Sequence, residues 1–289
     1  MSELKSFGVI GGDKRQKAMA DSMALDGYNV FLAGFDDLEI CNIIQNVSFE
    51  QAIDCSDYIV LPLPVTKDGR TINAPFTSDE MIINKDFINK LIDKKIFCGM
   101  ADRLYDISDK FLGLDLNDYS KREEFAIMNA VPTAEGAIEI AMREYDGTIN
   151  GSRCLVAGFG RIGKVLSKML RGLGAKITVS ARKKEDMAWI SLMGYDFVNT
   201  SEIKRTNGYD IIFNTVPSMI FDAYTLAKAA CNSVLIDLAS APGGVDYDAA
   251  NRLGIKSIKA LSLPGKVAYK SAGEIIKKTI YNMIEEGAK

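Results

Sequence analysis

The chain has 289 residues, 47% of them hydrophobic and 25% charged, and its 24 glycines and 7 prolines are too few for a collagen-like or low-complexity protein. With 35 basic against 38 acidic residues the formal net charge is −3, which argues against a general binder of the nucleic-acid backbone. Histidine is absent, so Ser-His-Asp triads, Cys-His pairs and His-ligated zinc are excluded, and any proton transfer falls to Asp, Glu, Lys, Tyr, Cys, water or the substrate.

A chain of this length predicts two domains, each with its own core. The first residues include Glu3 and Lys5 and run straight into an apolar stretch, without the longer apolar region and cleavage site of a secretory signal, and no apolar run reaches membrane-spanning length. The expectation is a cytoplasmic protein with no membrane partner.

Short apolar runs at 7–10, 28–32, 58–61 and 96–98 alternate with helical patterns near 15–25, 50–55 and 86–94. This is the alternation of parallel strands with crossover helices. Residues 63–70 read as a turn-rich loop beyond the third strand, at the carboxyl end where open α/β sheets bind ligands. The pattern is helical again over 119–129 and 133–145, with Val131-Pro132 between. Because proline disfavours helix at its predecessor, Thr133 is expected to cap a new helix with Glu135 and Gly136 in its first turn. A second series of strands begins at Arg153 and continues at 176–180, 209–214, 233–238 and 255–258, and the segment 269–286 is helical. The five cysteines, Cys41, Cys55, Cys98, Cys154 and Cys231, lie far apart without a CxxC pair, so reduced thiols are expected rather than a metal or redox centre.

The strongest local signal is Gly158-Phe159-Gly160-Arg161-Ile162-Gly163, which follows the strand beginning at Arg153 and opens an amphipathic run through Leu173. In this strand-turn-helix setting Gly158 permits the tight turn, Gly160 lets the backbone approach a pyrophosphate, and Gly163 lets the helix press on the strand. A dinucleotide site is the default reading. An NAD site carries Asp or Glu near the end of the next strand to hold the ribose 2′-hydroxyl, but the chain reads Ser180-Ala181-Arg182-Lys183-Lys184, whose cations suit a 2′-phosphate. NADP is therefore expected over NAD. Residues 214–218, with Thr215, Val216 and Pro217, and residues 237–244 follow later strands and are expected to wall the cofactor site.

The combination Gly11-Gly12-Asp13-Lys14-Arg15-Gln16, Leu61-Pro62-Leu63-Pro64, Asn129-Ala130-Val131-Pro132-Thr133-Ala134-Glu135-Gly136-Ala137, Gly158-Phe159-Gly160-Arg161, Asp237-Leu238-Ala239-Ser240 with Pro242-Gly243-Gly244, and Leu263-Pro264-Gly265-Lys266-Val267-Ala268 resembles the family of dipicolinate synthase A subunits through nearly the whole chain. The chain departs from that pattern at Tyr269, where the family has proline. The resemblance implies an α/β fold of two Rossmann-like domains with parallel sheets, arranged as in formate/glycerate dehydrogenases, with the C-terminal helix returning to the first domain. On that plan residues 1–130, completed by helix 269–289, form a substrate domain, and 131–268 form the NADP-binding domain. It further implies NADP-linked formation of pyridine-2,6-dicarboxylate from a dihydro- or hydroxytetrahydrodipicolinate of the lysine-pathway branch. The setting would be the mother-cell cytoplasm of a sporulating bacterium, and the partner a smaller, flavoprotein-like B subunit. Whether the chain also forms a homodimer is left open.

Oxidising a dihydropyridine to an aromatic ring needs a hydride acceptor and the loss of a proton, and histidine is not required. For the two carboxylates of such a substrate the candidates are Thr133 and Ala134, through their amides at a helix start, with Arg15, Arg103, Ser240 and Lys266. Lys266 and Thr133 are preferred because neighbouring proline and glycine restrain them, and Lys266 also stands as a candidate catalytic residue. Glu135 or Asp102 could take the proton, and the residues do not choose between them. Two other functions remain: a nucleotide-binding regulatory or assembly subunit for a flavoprotein partner, and an NADP dehydrogenase for another small carboxylate.

Overall fold

Runs of Val, Ile, Leu and Phe too short for helices become strands with both faces covered, as a parallel sheet demands. In the computed structural model, which describes residues 5–230 and 232–287, the chain divides into two units, 1–128 with 268–289, and 129–267. The first unit takes the order β1 (Ser6–Ile10), α1 (Lys14–Leu25), β2 (Asn29–Ala33), β3 (Gln45–Asn46), α2 (Phe49–Asp54), β4 (Tyr58–Val60), α3 (Lys85–Lys90), β5 (Lys95–Cys98), α4 (Asp102–Tyr105) and β6 (Asp115–Asp118). Helix α5 (Glu123–Glu144) leads on to β7 (Arg153–Ala157), α6 (Arg161–Gly172), β8 (Lys176–Ala181), α7 (Lys184–Leu192), β9 (Asp196–Asn199), β10 (Ile211–Asn214), α8 (Ala223–Ala229), β11 (Val234–Asp237), α9 (Tyr247–Arg252), β12 (Lys256–Lys259), α10 (Leu263–Val267) and α11 (Tyr269–Gly287).

Each unit holds one six-stranded parallel sheet, in the orders β3-β2-β1-β4-β5-β6 and β12-β11-β10-β7-β8-β9. Both are doubly wound α/β sheets whose strand order reverses beside the first strand, which is where such folds open a ligand crevice. Strands β3, β6 and β9 carry no apolar run that would betray them in the sequence. All three lie at sheet edges, where half-exposed polar residues suffice.

Helix α11 belongs to the first unit. Its Ile276 and Ile280 are buried with Phe7, Val9, Met19 and Met23. At Gly273 the backbones of α11 and α1 approach so closely that a Cβ would lie 2.6 Å from the Arg15 carbonyl oxygen. Tyr269, where the family pattern has proline, opens α11 and lies under the Lys14 ammonium, 5.7 Å from the ring centroid.

One expectation fails here. Helix α5 continues through Pro132 from Glu123 to Glu144, so Thr133 caps nothing. Its hydroxyl instead donates to the Asn129 carbonyl oxygen at 2.7 Å, one turn back, giving a side-chain donor to the stretch where proline supplies none. A mid-helix proline costs roughly 3 kcal/mol. Burial of Ala134, Ala137, Ile138, Ile140 and Ala141 against the second sheet outweighs that cost and keeps the helix whole. The amides of Thr133 and Ala134 therefore point into the helix ladder and are not available to an anion.

Of the cysteines, Cys231 lies outside the described residues. Cys41, Cys55, Cys98 and Cys154 are free thiols, the last two buried. Among the described residues no helix is long and apolar enough to cross a membrane.

Candidate functional site

The turn after β7 tests the three glycines separately. Gly158 has φ +101°, the left-handed region, and a Cβ there would lie 2.5 Å from Thr215 Oγ1 and 3.0 Å from Val216 Cγ2. Gly163 sits so close to the strand end that a Cβ would collide with the Gly158 carbonyl oxygen. Gly160 differs: it has ordinary dihedrals, and a Cβ built on it meets nothing within 4 Å. Two glycines are thus demanded by packing, and the third stands beside room that a ligand would fill.

Helix α6 begins at this opening without protection. Its N-cap is Gly160, no side chain caps it, and its first turn holds no acid. Twelve residues of helix then present first-turn amides and the positive end of the dipole to the space beyond the turn. Phe159 is buried, with the Lys164 ammonium 5.2 Å from its ring centroid, and Ile162 packs on the core, so both set the turn's shape. Arg161 is the first helical residue.

Ser180 is fully buried; its Oγ accepts from the Gly158 amide at 3.3 Å and from the Thr200 hydroxyl at 3.3 Å. It props the glycine turn from beneath and does not line the opening, contrary to its expected role. The next residues turn outward. Arg182 lines a cavity of about 550 Å3 with Thr200, Ser201, Lys204, Val216 and Met219. Lys183 instead faces Glu185 at 3.4 Å, and both are exposed. Lys204 escaped the sequence reading because the 3-10 turn that carries it (Thr200–Arg205) follows β9, a strand without an apolar signal. It neighbours Asp222, whose carboxyl is held below the usual range chiefly by hydrogen bonds from Thr225, with the Lys204 charge assisting.

The loops after β10 and β11 form the wall. Thr215 donates from its amide and its hydroxyl to the Ala157 carbonyl oxygen, at 2.9 and 2.8 Å, which ties the wall to the end of β7. Val216 stands against Gly158, while Pro217 and Ser240 are exposed in their turns. Lys266 is exposed on α10, a helical turn where the sequence suggested a restrained loop. Helix α10 packs on α5 at Gly136, where a Cβ would lie 3.0 Å from Leu263 Cβ and 3.1 Å from Val267 Cγ2.

The corresponding turn of the first unit is closed by its own side chains. Gly11 and Gly12 have φ +64° and +112°, but a Cβ on Gly12 would strike the Gln16 side chain at 2.6 Å. The N-terminus of α1 is capped by Asp13, which accepts from the Arg15 amide at 2.9 Å, while Gln16 Oε1 accepts from the Asp13 amide at 3.0 Å. A carboxylate already occupies the place of an anion.

Arg15 is nearly enclosed, its side chain 11% exposed, with its guanidinium donating to Asp13 and, at 2.6 Å, to the Leu63 carbonyl oxygen. Arg103 donates to the Thr66 carbonyl oxygen at 2.6 Å. Both arginines thus hold the loop after β4. Of the two carboxylates considered for proton transfer, Asp102 belongs to the first unit and accepts from Lys121 at 2.7 Å on the surface. Glu135 is exposed on α5 in a groove shared with Met142 and Leu173, the latter at the carboxyl end of α6, opposite the Gly160 turn.

Residues 6–119 match the family described as the N-terminal domain of the dipicolinate synthase A subunit, and residues 131–258 match the NAD binding domain of D-isomer specific 2-hydroxyacid dehydrogenases. The open glycine turn thus belongs to a domain type that binds a nicotinamide dinucleotide. The chain is 33% identical over 287 residues to the dipicolinate synthase A subunit of Bacillus subtilis, covering 96% of this chain and 95% of that protein. The crystal structure of the Bacillus halodurans A subunit superposes with a TM-score of 0.88 at 30% identity, covering 96% of this chain and 97% of that one. The crystal structure of the Bacillus subtilis protein gives 0.87 at 32% identity, covering 99% and 97%. With two parallel sheets of the same plan, an open dinucleotide turn in the second unit and this likeness along both units, the chain belongs to the family of dipicolinate synthase A subunits.

Proposed function

We propose that this chain is the NADP-linked oxidoreductase subunit of a dipicolinate-forming enzyme. It would convert the dihydro or hydroxytetrahydro precursor of the lysine-pathway branch into pyridine-2,6-dicarboxylate during sporulation. The observation that carries the nucleotide part is the free space at Gly160 ahead of a helix that no side chain caps. The preference for NADP rests on Arg182 and Lys204 at one cavity, with no acid at the end of β8. A 2′-phosphate would gain charge-assisted hydrogen bonds there, whereas the ribose hydroxyls of NAD would find no carboxylate at the end of β8; the one acid lining the cavity, Asp222, is engaged as the N-cap of α8 by Thr225.

NADP, when bound, supplies the hydride acceptor. The chain's own residues would seat the pyrophosphate on the α6 amides and hold the ribose phosphate through Arg182 and Lys204, while Val216 keeps the wall at 214–218 against the glycine turn. Loss of a hydride and a proton makes the ring of the dihydro precursor aromatic, and the hydroxytetrahydro form must lose one water as well, so orientation of the ring and control of water are the main demands. Lys266 and Ser240, beyond the carboxyl ends of β12 and β11, are the carboxylate-binding candidates with exposed side chains on the second unit. Residues 1–130 with helix 269–289 are assigned the substrate-domain role and 131–268 the NADP-domain role. A smaller flavoprotein-like B subunit is the proposed partner.

One observation favours a second reading. Glu135 lines an exposed groove on α5 and Asp102 is bound to Lys121 on the surface, so no buried or desolvated carboxylate stands out among the two candidates. A regulatory or assembly subunit serving a flavoprotein partner fits that arrangement. Measuring NADPH formation by the purified chain on freshly generated dihydrodipicolinate, with and without the partner, separates the two. Turnover by the chain alone supports the first reading, and turnover by the partner alone removes it.

A further inference from the structure

Below the wall of the dinucleotide turn, the first residues of its two segments join Tyr247, which none of the assignments above uses, in a buried polar chain. Asn214 ends β10 and is fully buried, and Asp237 ends β11 and is 1% exposed. Asn214 Nδ2 donates to Asp237 Oδ1 at 2.8 Å and to the Val216 carbonyl oxygen at 3.2 Å, while Asn214 Oδ1 accepts from the Val216 amide at 3.1 Å. Asp237 Oδ1 also accepts from the Ala239 amide at 3.1 Å, and Oδ2 accepts from the Tyr247 hydroxyl at 2.7 Å. The polar groups of two separate loops thus converge on one carboxylate whose named donors are all neutral.

The loops are also pressed together sterically. A Cβ on Gly244 would lie 2.5 Å from Asn214 Nδ2 and 2.5 Å from the Val216 oxygen. Val216 in turn bears on Gly158. The contacts therefore run from Tyr247, the first residue of α9, through Asp237 and Asn214 to the turn expected to meet the pyrophosphate. Burying a carboxylate is costly unless it is hydrogen-bonded, and a network in which both oxygens of Asp237 have donors fixes one geometry more sharply than apolar packing does.

We propose that Tyr247 is a positioning residue for the dinucleotide: through Asp237 and Asn214 it locks the loops 214–218 and 237–244 into one wall that holds the ligand against the Gly158 turn. This rests on the dinucleotide reading of that turn. On this proposal Tyr247 acts through Asp237 and Asn214 rather than on the ligand directly. Its ring carries the Lys259 ammonium, 6.0 Å from the centroid, and its phenol is pushed well above the ordinary range by burial and by Asp237.

Tyr247→Phe keeps the ring and deletes one donor. Losing a hydrogen bond to a charged group is expected to weaken NADPH binding about five- to thirtyfold by calorimetry. Hydrogen exchange should quicken in both loops together and stay unchanged in β7. Ile190→Val, a core change behind β8 that removes one buried methylene, serves as a control for simple destabilisation and is expected to leave the affinity within about twofold. The proposal is overturned if Tyr247→Phe binds NADPH as tightly as the wild type, if only one loop loosens, or if Ile190→Val weakens binding as much. A wild-type chain that binds neither NADPH nor NADH would instead sink the dinucleotide reading, and this proposal with it.

Discussion

Gly163 and Gly158 touch across the start of α6: the α-carbon of the first packs against the carbonyl of the second with no space for a methyl group. Gly160, between them in sequence, faces open space. The two positions are expected to respond in opposite ways to alanine. Gly163→Ala must push the helix off the strand, and overpacking of this kind costs roughly 1–3 kcal/mol, so the melting temperature falls by several degrees and dinucleotide binding falls with it. Gly160→Ala leaves the melting temperature within about two degrees but intrudes on the ligand and weakens binding at least tenfold. Thermal denaturation and calorimetry on the two variants check this; equal melting losses would contradict the assignment.

Arg182 and Lys204 line one cavity from different strand ends. Charge-assisted hydrogen bonds are worth about 1.5–3 kcal/mol, so Arg182→Ala is expected to weaken NADPH roughly ten- to a hundredfold while changing NADH little. Lys204→Ala acts in the same direction but less strongly, because Asp222 shares its charge. Lys183→Ala, whose ammonium faces Glu185, leaves the preference unchanged. Competitive titration of the two dinucleotides against each variant measures all three; tight NADH binding that Arg182→Ala leaves untouched would refute the NADP preference.

The acid limb of stability has an identifiable contributor. Asp26 accepts from Lys277 at 2.9 Å and from Tyr281 at 3.0 Å, and these hydrogen bonds, Lys277 first, hold its carboxyl below the ordinary value of 3.8. A carboxyl lowered in the folded state contributes stability that is complete above the unfolded value and is lost as pH falls through the folded one. Between pH 7 and 5 this contribution is flat, and below about pH 4 it declines. Asp26→Asn is expected to lower stability at pH 7 by well under 1 kcal/mol, the site being partly exposed, and to narrow the gap from wild type as pH approaches 3. Urea denaturation across that range tests the sign; a gap that widens with acidification would exclude it.

The thiols divide by burial. Burial pushes the Cys154 thiol up to about 11 and that of Cys98 higher still, whereas Cys41 and Cys55 are exposed. At pH 8 the thiolate fraction of Cys154 is about a thousandth, so a charged disulfide reagent should label Cys41 and Cys55 promptly and Cys98 and Cys154 only on unfolding. Peptide mass mapping after timed labelling reads this directly.

What the sequence disclosed was local chemistry. The glycine turn after β7 could be read because its spacing lies within six positions, Gly163 packing on Gly158, although the contact that demands Gly158 comes from Thr215 and Val216 on a later strand end. The central strands were visible because burial on both faces requires unbroken apolar runs. Strands β3, β6 and β9 were invisible, since edge strands are permitted polar faces, and Lys204 was lost with the last of them. The expected break at Pro132 failed because a local rule about proline was outweighed by contacts from α5 to a sheet formed later in the chain. Lys266 was read as a loop residue because nothing nearby announced a five-residue helix seated against Gly136. Asn214 and Asp237 were recognisable as strand ends, but their convergence on Tyr247 depends on tertiary geometry.

The self-capped start of α1 has a bearing on stoichiometry. Two sheets of one plan could suggest a pair of equivalent nucleotide sockets on a single polypeptide. Asp13 already spends the first-turn donors of α1, whereas α6 keeps its own in reserve. A titration should therefore saturate at one equivalent per chain, and a mimic of the pyrophosphate group should compete for that single berth.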